Sequence, residues 1–216
     1  STKEQKPFLD FTAVDQVDEN LKEAEALFRE HLLRSGVEAS LRTMPSRVEY
    51  LQAHLPGPFD LIVLSNVLNE LFPDDADRIR RRIRIMDSML HDLLAESGSC
   101  VVIEPALRGT TRDMLSIRDG LQEGGWHVYS PCLVQEPCPA LLNPKDWCHE
   151  DRPWSPPEII RQIDARTGLR KDALKFSYFV LRKDEHSLAD VCGRDAYRVV
   201  SEPLVSKGKR ELFICG

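Results

Sequence analysis

The apolar run FDLIVLS at residues 59–65 is the feature that most limits how this chain folds. A strand that is apolar on both faces must be covered on both faces, as in a parallel sheet flanked by helices. Strand-like and helix-like patterns alternate on either side of this run, from residue 9 to about residue 130. Such alternation indicates an α/β fold with a mostly parallel sheet and helices on both faces.

The order of the elements also predicts how the chain is divided. We predict strands at 9–15, 38–43, 59–65, 99–105 and 126–131, and helices at 17–36, 46–55, 74–97 and 111–123. A helix at 155–168, with prolines in its first turn, and a β-prone strand at 173–184 complete the main domain, which we place at 1–184. The remainder, 185–216, is predicted to be a polar linker and a C-terminal β hairpin that turns at Lys207-Gly208-Lys209.

The charge and the lengths of the apolar runs narrow the possible partners. A formal net charge of −6 over 216 residues argues against a largely positive surface of the kind that binds nucleic acid non-specifically. The arginines of RIRRRIR at 78–84 form either a solvated helix face or a local face for RNA phosphate. No apolar run approaches the roughly 20 residues that cross a bilayer, and no secretory signal opens the sequence. We expect an intracellular protein that is not bound to a membrane and has reduced thiols.

A proline-rich segment at 131–154, PCLVQEPCPALLNPKDWCHEDRPW, contains Cys132, Cys138 and Cys148. Proline fixes φ and can preset where thiolates point, so little chain entropy remains to be lost when the segment closes on a metal. A fourth ligand could come from His149 or from Cys215 in the C-terminal hairpin. Four thiolates suit zinc or an iron–sulfur cluster equally well, and spacing alone does not decide between them. Disulfides are the weakest alternative in a reducing compartment.

The other residues near these cysteines have competing explanations. Cys192, in the polar stretch DVCGRD, is the rival to Cys215 as fourth ligand, whereas Cys100 begins an apolar strand and is expected in the core. His149 is expected to hydrogen-bond near a ligand rather than to coordinate. Trp147 and Trp154 could shield a metal group, stack on an RNA base or simply pack.

Asp15 ends the first predicted strand, where an acidic residue can hydrogen-bond a ribose hydroxyl in an open α/β sheet. It could equally cap the helix that begins near Val17. A glycine-rich turn is expected about 20 residues before such an acidic residue, yet the fourteen residues that precede Asp15 contain no glycine. Together with the opening STKEQKP and the ending FICG, this favours a fragment whose first strand and glycine loop lie upstream.

Three stretches in order, AVDQVDENLKEAEAL, FDLIVLSNVLNEL and CVVIEP, resemble the middle of a class I S-adenosylmethionine-dependent methyltransferase. The combination of LSNVLNEL, IEPALRGT, YSPCLVQEPCP and DWCHEDRPWS is narrower. It resembles the methyltransferase-like family associated with the mitochondrial small ribosomal subunit, which has bacterial members. The resemblance covers about 9–216 and implies a Rossmann-like sheet. It also implies the small ribosomal subunit or its RNA as partner, and a location in the mitochondrial matrix of a eukaryote or the cytoplasm of a bacterium.

Carried over by residue, the resemblance implies that Asp15 contacts the ribose of S-adenosylmethionine, with Ser65 and Asn66 beside its methionine end. The adjoining pocket would contain Asn69 or Glu70, so the candidates for catalysis are Asn66, Asn69 and Glu70. Both asparagines could instead only end the strand and satisfy loop backbone groups.

Glu104 ends a strand at the same edge and is predicted to face the cofactor cleft, or to pair with an arginine.

The resemblance also implies a 4Fe-4S cluster on Cys132, Cys138, Cys148 and Cys215, the last followed by Gly216. Two functions follow. One is a methyltransferase acting on ribosomal RNA or a ribosomal protein. The other is a non-catalytic ribosome-assembly or RNA-binding protein with a structural zinc or iron–sulfur site. The stretch SNVLN departs from the Asn/Asp-Pro-Pro-aromatic pattern of N-methylating enzymes, which argues against methylation of a base amino group.

Overall fold

A computed structural model describes residues 8–53, 55–193 and 195–216. Residues 1–7, 54 and 194, which fall in the predicted domain, the second predicted helix and the linker, lie outside the described residues. The chain divides into two compact units, the first ending at Pro56 and the second beginning at Gly57. The α-helices are α1 (Asp18–Ser35), α2 (Arg78–Leu93), α3 (Arg108–Glu123), α4 (Glu158–Thr167) and α5 (Leu188–Cys192). The strands are β1 (Leu9–Asp15), β2 (Ala39–Pro45), β3 (Phe59–Ser65), β4 (Leu94–Pro105), β5 (His127–Ser130), β6 (Glu150–Pro153), β7 (Ala173–Arg182), β8 (Arg198–Val199), β9 (Leu204–Ser206), β10 (Lys209–Glu211) and β11 (Ile214–Cys215).

The first unit is a parallel pair of strands connected by α1. Strands β1 and β2 pair in register over their full length, and the rings of Phe11 and Phe28 meet edge to face at 5.5 Å. The helix ends at Gly36, whose φ of 63° is in the left-handed region that glycine adopts without strain. The predicted helix at 46–55 is instead a 3-10 helix at Val48–Ala53, the form that short connecting segments often take.

The second unit contains a mixed five-stranded sheet. Strands follow the order β3-β4-β7-β5, with β6 also paired to β7. Strands β3 and β4 are parallel, whereas β7 is antiparallel to both β4 and β5. It follows that β3, β4 and β5 run in the same direction and that their carboxyl ends lie at one edge. The predicted α/β class is confirmed, and the sheet is mixed because β7 lies between two strands that run opposite to it.

One predicted boundary is wrong. The helix predicted at 74–97 covers Arg78–Leu93, and the strand predicted from residue 99 begins at Leu94. The sheet overrides the helical pattern here, because Leu94 pairs with Phe59 at the start of β3, and an irregularity follows before Leu61 pairs with Ser99. The other elements begin and end within a few residues of the predictions.

The core of the second unit lies between the sheet and helices α2 and α3. Met86, Leu90 and Ile117 are completely buried, and so is Cys100 on β4, which confirms its predicted place in the core. Burial raises the pKa of the Cys100 thiol from 9.0 to about 12. Arg82 is buried on α2 as well, where its guanidinium donates to the Leu71 carbonyl at 2.8 Å.

The C-terminal segment forms two antiparallel pairs, one inside the other. Strands β9 and β10 make the predicted hairpin, which turns at Lys207-Gly208 with the glycine at φ 83°. Strands β8 and β11 pair outside it, and Arg198 lies opposite Cys215. In the preceding polar stretch, α5 begins with a capping box formed by Ser187 and Asp190. Within the described ranges, none of the helices has the length and apolar character needed to cross a membrane.

Candidate functional site

Four of the six cysteines line a single cavity of about 520 Å³ in the second unit. They are Cys132, Cys138, Cys148 and Cys215. The cavity lies beside the carboxyl end of β5, because Cys132 follows that strand after only Pro131. Cys192 is exposed at the end of α5 and does not line the cavity. The structure therefore brings together the four cysteines that the sequence predicts as ligands and leaves the rival outside.

The thiols in the cavity are close enough to influence one another electrostatically. Burial raises the pKa of Cys132, and Cys148 and Cys215 raise it further, while Arg118 and Arg198 oppose the shift. Burial likewise raises the pKa of Cys138 to about 11 and raises that of Cys215. The thiols of Cys132, Cys138 and Cys215 are therefore protonated at neutral pH, and a metal that binds them must displace their protons.

The donor set fits a soft metal ion or a cluster, since thiolates are the ligands preferred by zinc and by iron–sulfur groups. Among the residues that the structure describes, however, no three His, Cys, Asp or Glu side chains are already grouped to hold a metal ion. All four cysteines nevertheless line the same cavity, so a metal bound there would have to draw their thiols together.

Polar side chains on α3 hold the cysteine segment in its irregular course. Arg112 is central, because its guanidinium donates to four backbone carbonyls at 2.7 to 3.2 Å. These carbonyls belong to Ala140, Leu141, Asn143 and Asp146. The segment has little regular secondary structure, so such side-chain donors satisfy carbonyls that would otherwise be left unpaired.

Arg118, one helical turn and a half further along α3, is only 1% exposed. Its guanidinium donates to the carbonyls of Val134 at 2.8 Å and Glu136 at 2.6 Å. It also forms an ion pair with Asp119 at 2.7 Å, and Asp119 accepts the backbone N–H of Cys138 at 2.9 Å. A buried charge thus fixes the path between the first two cysteines.

Arg198 on β8 connects the C-terminal strands to the cysteine segment. Its Nη1 donates to Cys148 Sγ at 3.4 Å, and its Nη2 forms a close ion pair with Glu150. Arg198 is also the Cα partner of Cys215 in the pairing of β8 with β11. It therefore contacts the Cys148 thiol and lies opposite Cys215.

Two rings flank Cys148 in the chain. Trp147 and His149 stack with their centroids 4.2 Å apart and an interplanar angle of 16°, and both line the cavity. Burial lowers the pKa of His149, so the imidazole is neutral at pH 7. Trp154 does not line the cavity, and its backbone N–H donates to the Asp172 carbonyl at 2.9 Å.

The loop after β3 contains the residues predicted to lie beside the cofactor. Asn66 has a φ of 56°, and its N–H donates to the Ile103 carbonyl at 2.9 Å. Glu104 is 1% exposed, and its carboxylate accepts the N–H groups of Leu68 at 2.8 Å and Asn69 at 3.2 Å. Burial nevertheless raises the pKa of Glu104, although these N–H donors oppose the shift.

Some side chains in this loop are hydrogen-bonded within the protein, and others are exposed to solvent. With its amide nitrogen turned toward Glu104, Asn69 donates to that carboxylate at 2.8 Å and to the Asn66 carbonyl at 3.2 Å. Ser65 and Glu70 are exposed. Glu104 and Asn69 therefore hold the loop together, whereas Ser65, Asn66 and Glu70 keep side chains available for a ligand.

Asp15 lies in the first unit, at the end of β1. Its carboxylate accepts the Val17 N–H at 2.7 Å and the Asn20 side-chain amide at 3.1 Å. These bonds favour a part in starting α1, and the ribose contact stays a prediction.

Sequence reasoning missed the arginines that organise the cysteine site. The burial of Arg118 could have been predicted, because the residue lies in the apolar stripe of α3 with Met114, Leu115 and Leu121. Arginine in such a stripe implies a specific buried partner. Arg112 and Arg198 gave no comparable signal, because their partners are backbone carbonyls and a residue fifty positions away.

The fold and the site together define a mixed α/β protein with four thiols around a cavity beside the carboxyl ends of its parallel strands. The family model described as mitochondrial small ribosomal subunit Rsm22 matches residues 10–216. The chain belongs to that family, which confirms the small-subunit part of the resemblance. No curated protein matches the chain.

Proposed function

We propose that this protein associates with the small ribosomal subunit during its assembly, and that it carries one metal group on Cys132, Cys138, Cys148 and Cys215. The observation that carries this proposal is the convergence of these four cysteines on one cavity in a member of a small-subunit family. In a eukaryote the protein would act in the mitochondrial matrix, and in a bacterium in the cytoplasm.

A 4Fe-4S cluster is the proposed group, and zinc is the alternative. The resemblance to the ribosomal methyltransferase-like family favours the cluster, and a cavity of about 520 Å³ has room for more than a single ion. A bound cluster would supply either electron transfer or a structural crosslink. The chain's own contribution is to fix the segment between Cys132 and Cys148 through Arg112 and Arg118, and to bring Cys215 back through the pairing of β8 with β11.

A methyltransferase-like fold that binds S-adenosylmethionine is the second part of the proposal. Support comes from three strands whose carboxyl ends lie at one edge, the place where open α/β sheets bind ligands. Ser65 and Asn66, in the second unit, would contact the methionine end of the cofactor. Bound S-adenosylmethionine would supply an electrophilic methyl group, which the protein must align with a nucleophile on RNA or protein.

A non-catalytic assembly factor is the alternative function, and one observation favours it. Two of the polar side chains nearest the loop, Asn69 and Glu104, are occupied by hydrogen bonds within the loop itself. Proton removal from a nucleophile would then fall to Glu70, an exposed carboxylate.

Sedimentation of the metal-loaded protein with purified small subunits, followed by titration calorimetry with S-adenosylmethionine, tests both parts. We expect stoichiometric co-sedimentation that weakens as salt is raised. Co-sedimentation without cofactor binding would support the assembly factor, and failure to co-sediment would contradict the proposed association.

A further inference from the structure

We propose that Arg198 is a positioning residue for the metal group, acting through an N–H to sulfur hydrogen bond to Cys148. This inference rests on the proposed metal site. It assigns to Arg198 a specific effect on that site: the bond raises the reduction potential of a bound cluster and slows the loss of any metal held by the thiolates.

The geometry of Arg198 carries the inference. The distance from Nη1 to Cys148 Sγ is 3.4 Å, within the range of a hydrogen bond to sulfur. The second terminal nitrogen, Nη2, pairs with Glu150, so a second contact holds the guanidinium in place. The Arg198 side chain is 20% exposed, which limits competition from water for the same donor.

The chemistry follows from the charge of a metal-bound thiolate. Zinc or an oxidised 4Fe-4S cluster held by four thiolates has a net negative charge, and the Cys148 sulfur would carry part of it. A hydrogen bond from a charged donor to a charged acceptor is roughly twice as strong as a neutral one. Such a bond stabilises the reduced, more negative state of a cluster more than the oxidised state, so it raises the potential.

The strand pairing gives Arg198 a second connection to the site. Arg198 and Cys215 are directly opposite each other on β8 and β11. The same pair of short strands therefore supplies one predicted ligand and one hydrogen-bond donor to another ligand. Each contact requires β8 and β11 to be in place. Removing the donor therefore weakens the attachment of the C-terminal strands to the site as well as the binding of the metal.

The structure offers a matched control in Arg152 on β6. Its guanidinium contacts the same carboxylate, Glu150, at 3.3 Å, but its side chain is 66% exposed. Arg152 does not line the cysteine cavity. Arg152→Gln removes the same charge and a contact to the same partner without removing the bond to sulfur.

The test compares wild type, Arg198→Gln, Arg198→Lys and Arg152→Gln in the full chain, purified without oxygen and loaded with iron and sulfide. Midpoint potentials are measured by redox titration followed by electron paramagnetic resonance. We expect Arg198→Gln to shift the one-electron equilibrium about tenfold toward the oxidised state, which corresponds to about 59 mV. Arg198→Lys, which keeps the charge, should fall between wild type and Arg198→Gln, and Arg152→Gln should match wild type.

The loss of metal to a chelator is the second readout, and it applies to zinc as well as to iron. Arg198→Gln should lose metal several times faster than Arg152→Gln. Equal rates together with equal potentials would overturn the role of Arg198 and leave the proposed metal site standing. If Arg198→Gln does not fold, Arg198→Lys, which keeps the charge but has a single donor nitrogen, takes its place and should shift both readouts in the same direction. A wild-type protein that binds neither iron–sulfur nor zinc would overturn the proposed metal site and this inference with it.

Discussion

The second unit presents two polar regions at the carboxyl-end edge of its sheet, and they are built in opposite ways. In the loop at 66–70, the Glu104 carboxylate and the Asn69 amide satisfy the backbone of the loop itself. In the cysteine cavity, the four cysteines are half-buried, and burial raises the pKa of Cys132, Cys138 and Cys215. Arginines from α3 and β8 hold the surrounding segment in place. Side chains of the loop and of β4 satisfy the loop backbone directly. The four thiols, by contrast, would be bonded to one another only through the proposed metal group.

Metal removal should give the largest difference between the two regions. A group that binds only the folded state stabilises it by about 4 kcal/mol when its concentration is 1,000 times its dissociation constant. We expect the metal-free protein to exchange amide hydrogens faster at 131–149 and 197–215, with 66–70 unchanged. Hydrogen exchange measured by mass spectrometry before and after chelation tests this. Faster exchange at 66–70 as well would mean that the two regions are not independent.

The Glu104→Ala variant should reverse the pattern. It leaves the buried N–H groups of Leu68 and Asn69 without their acceptor, and each such loss costs about 1–3 kcal/mol. We expect the free energy of unfolding to fall by about 3 kcal/mol while bound metal is retained. Urea denaturation with metal analysis measures both, and Glu70→Ala, at an exposed carboxylate of the same loop, is the control. Loss of metal on Glu104→Ala would contradict the separation of the regions.

Arg112→Gln should affect the cysteine region alone. The substitution removes a guanidinium that bonds four carbonyls of the segment, for an expected loss of about 2 kcal/mol and faster release of metal. Arg108→Gln, a change at the start of the same helix, is the control. Chemical denaturation and chelator competition provide the measurements. If Arg112→Gln behaves as Arg108→Gln does, the segment does not depend on this arginine.

The smallest predicted effect concerns pH and the core. The pKa of Cys100 is raised from 9.0 to about 12 in the folded protein, so its contribution to stability is fully present below pH 9 and is lost as pH rises toward 12. Between pH 8 and pH 10 this amounts to about 1 kcal/mol. Cys100→Ala should flatten the pH dependence by that amount in urea denaturation of the metal-free protein. An unchanged slope would show that the thiol does not remain buried.

The sequence predicted the elements better than it predicted their partners. The apolar run at 59–65 and the alternation around it were sufficient for the α/β class, because strand and helix periodicities are local. The position of β7 between β4 and β5 was not accessible, since pairing order depends on contacts between distant residues. The same reason explains the early start of β4 at Leu94, where pairing with Phe59 outweighs helical periodicity.

For the site, residue chemistry was predictable and its support was not. The four cysteines could be selected from spacing, compartment and resemblance, and they meet at one cavity. Arg198 could not, because its significance depends on a register that places it opposite Cys215. The hydrogen bonds from loop N–H groups to Glu104 could not be predicted either. A carboxylate at a strand end gives the same sequence pattern whether it faces a ligand or the backbone.

The proposed metal group on Cys132, Cys138, Cys148 and Cys215 can be tested by metal analysis of two matched variants. The full chain is purified without oxygen as wild type, Cys215→Ser and Cys192→Ser, and iron, sulfide and zinc are quantified per chain. We expect about four iron and four sulfide in wild type and in Cys192→Ser, with most of both lost in Cys215→Ser. Stoichiometric zinc without iron would show that the bound group is zinc and not a cluster. A metal-free wild type, or metal retained by Cys215→Ser and lost by Cys192→Ser, would contradict the proposal.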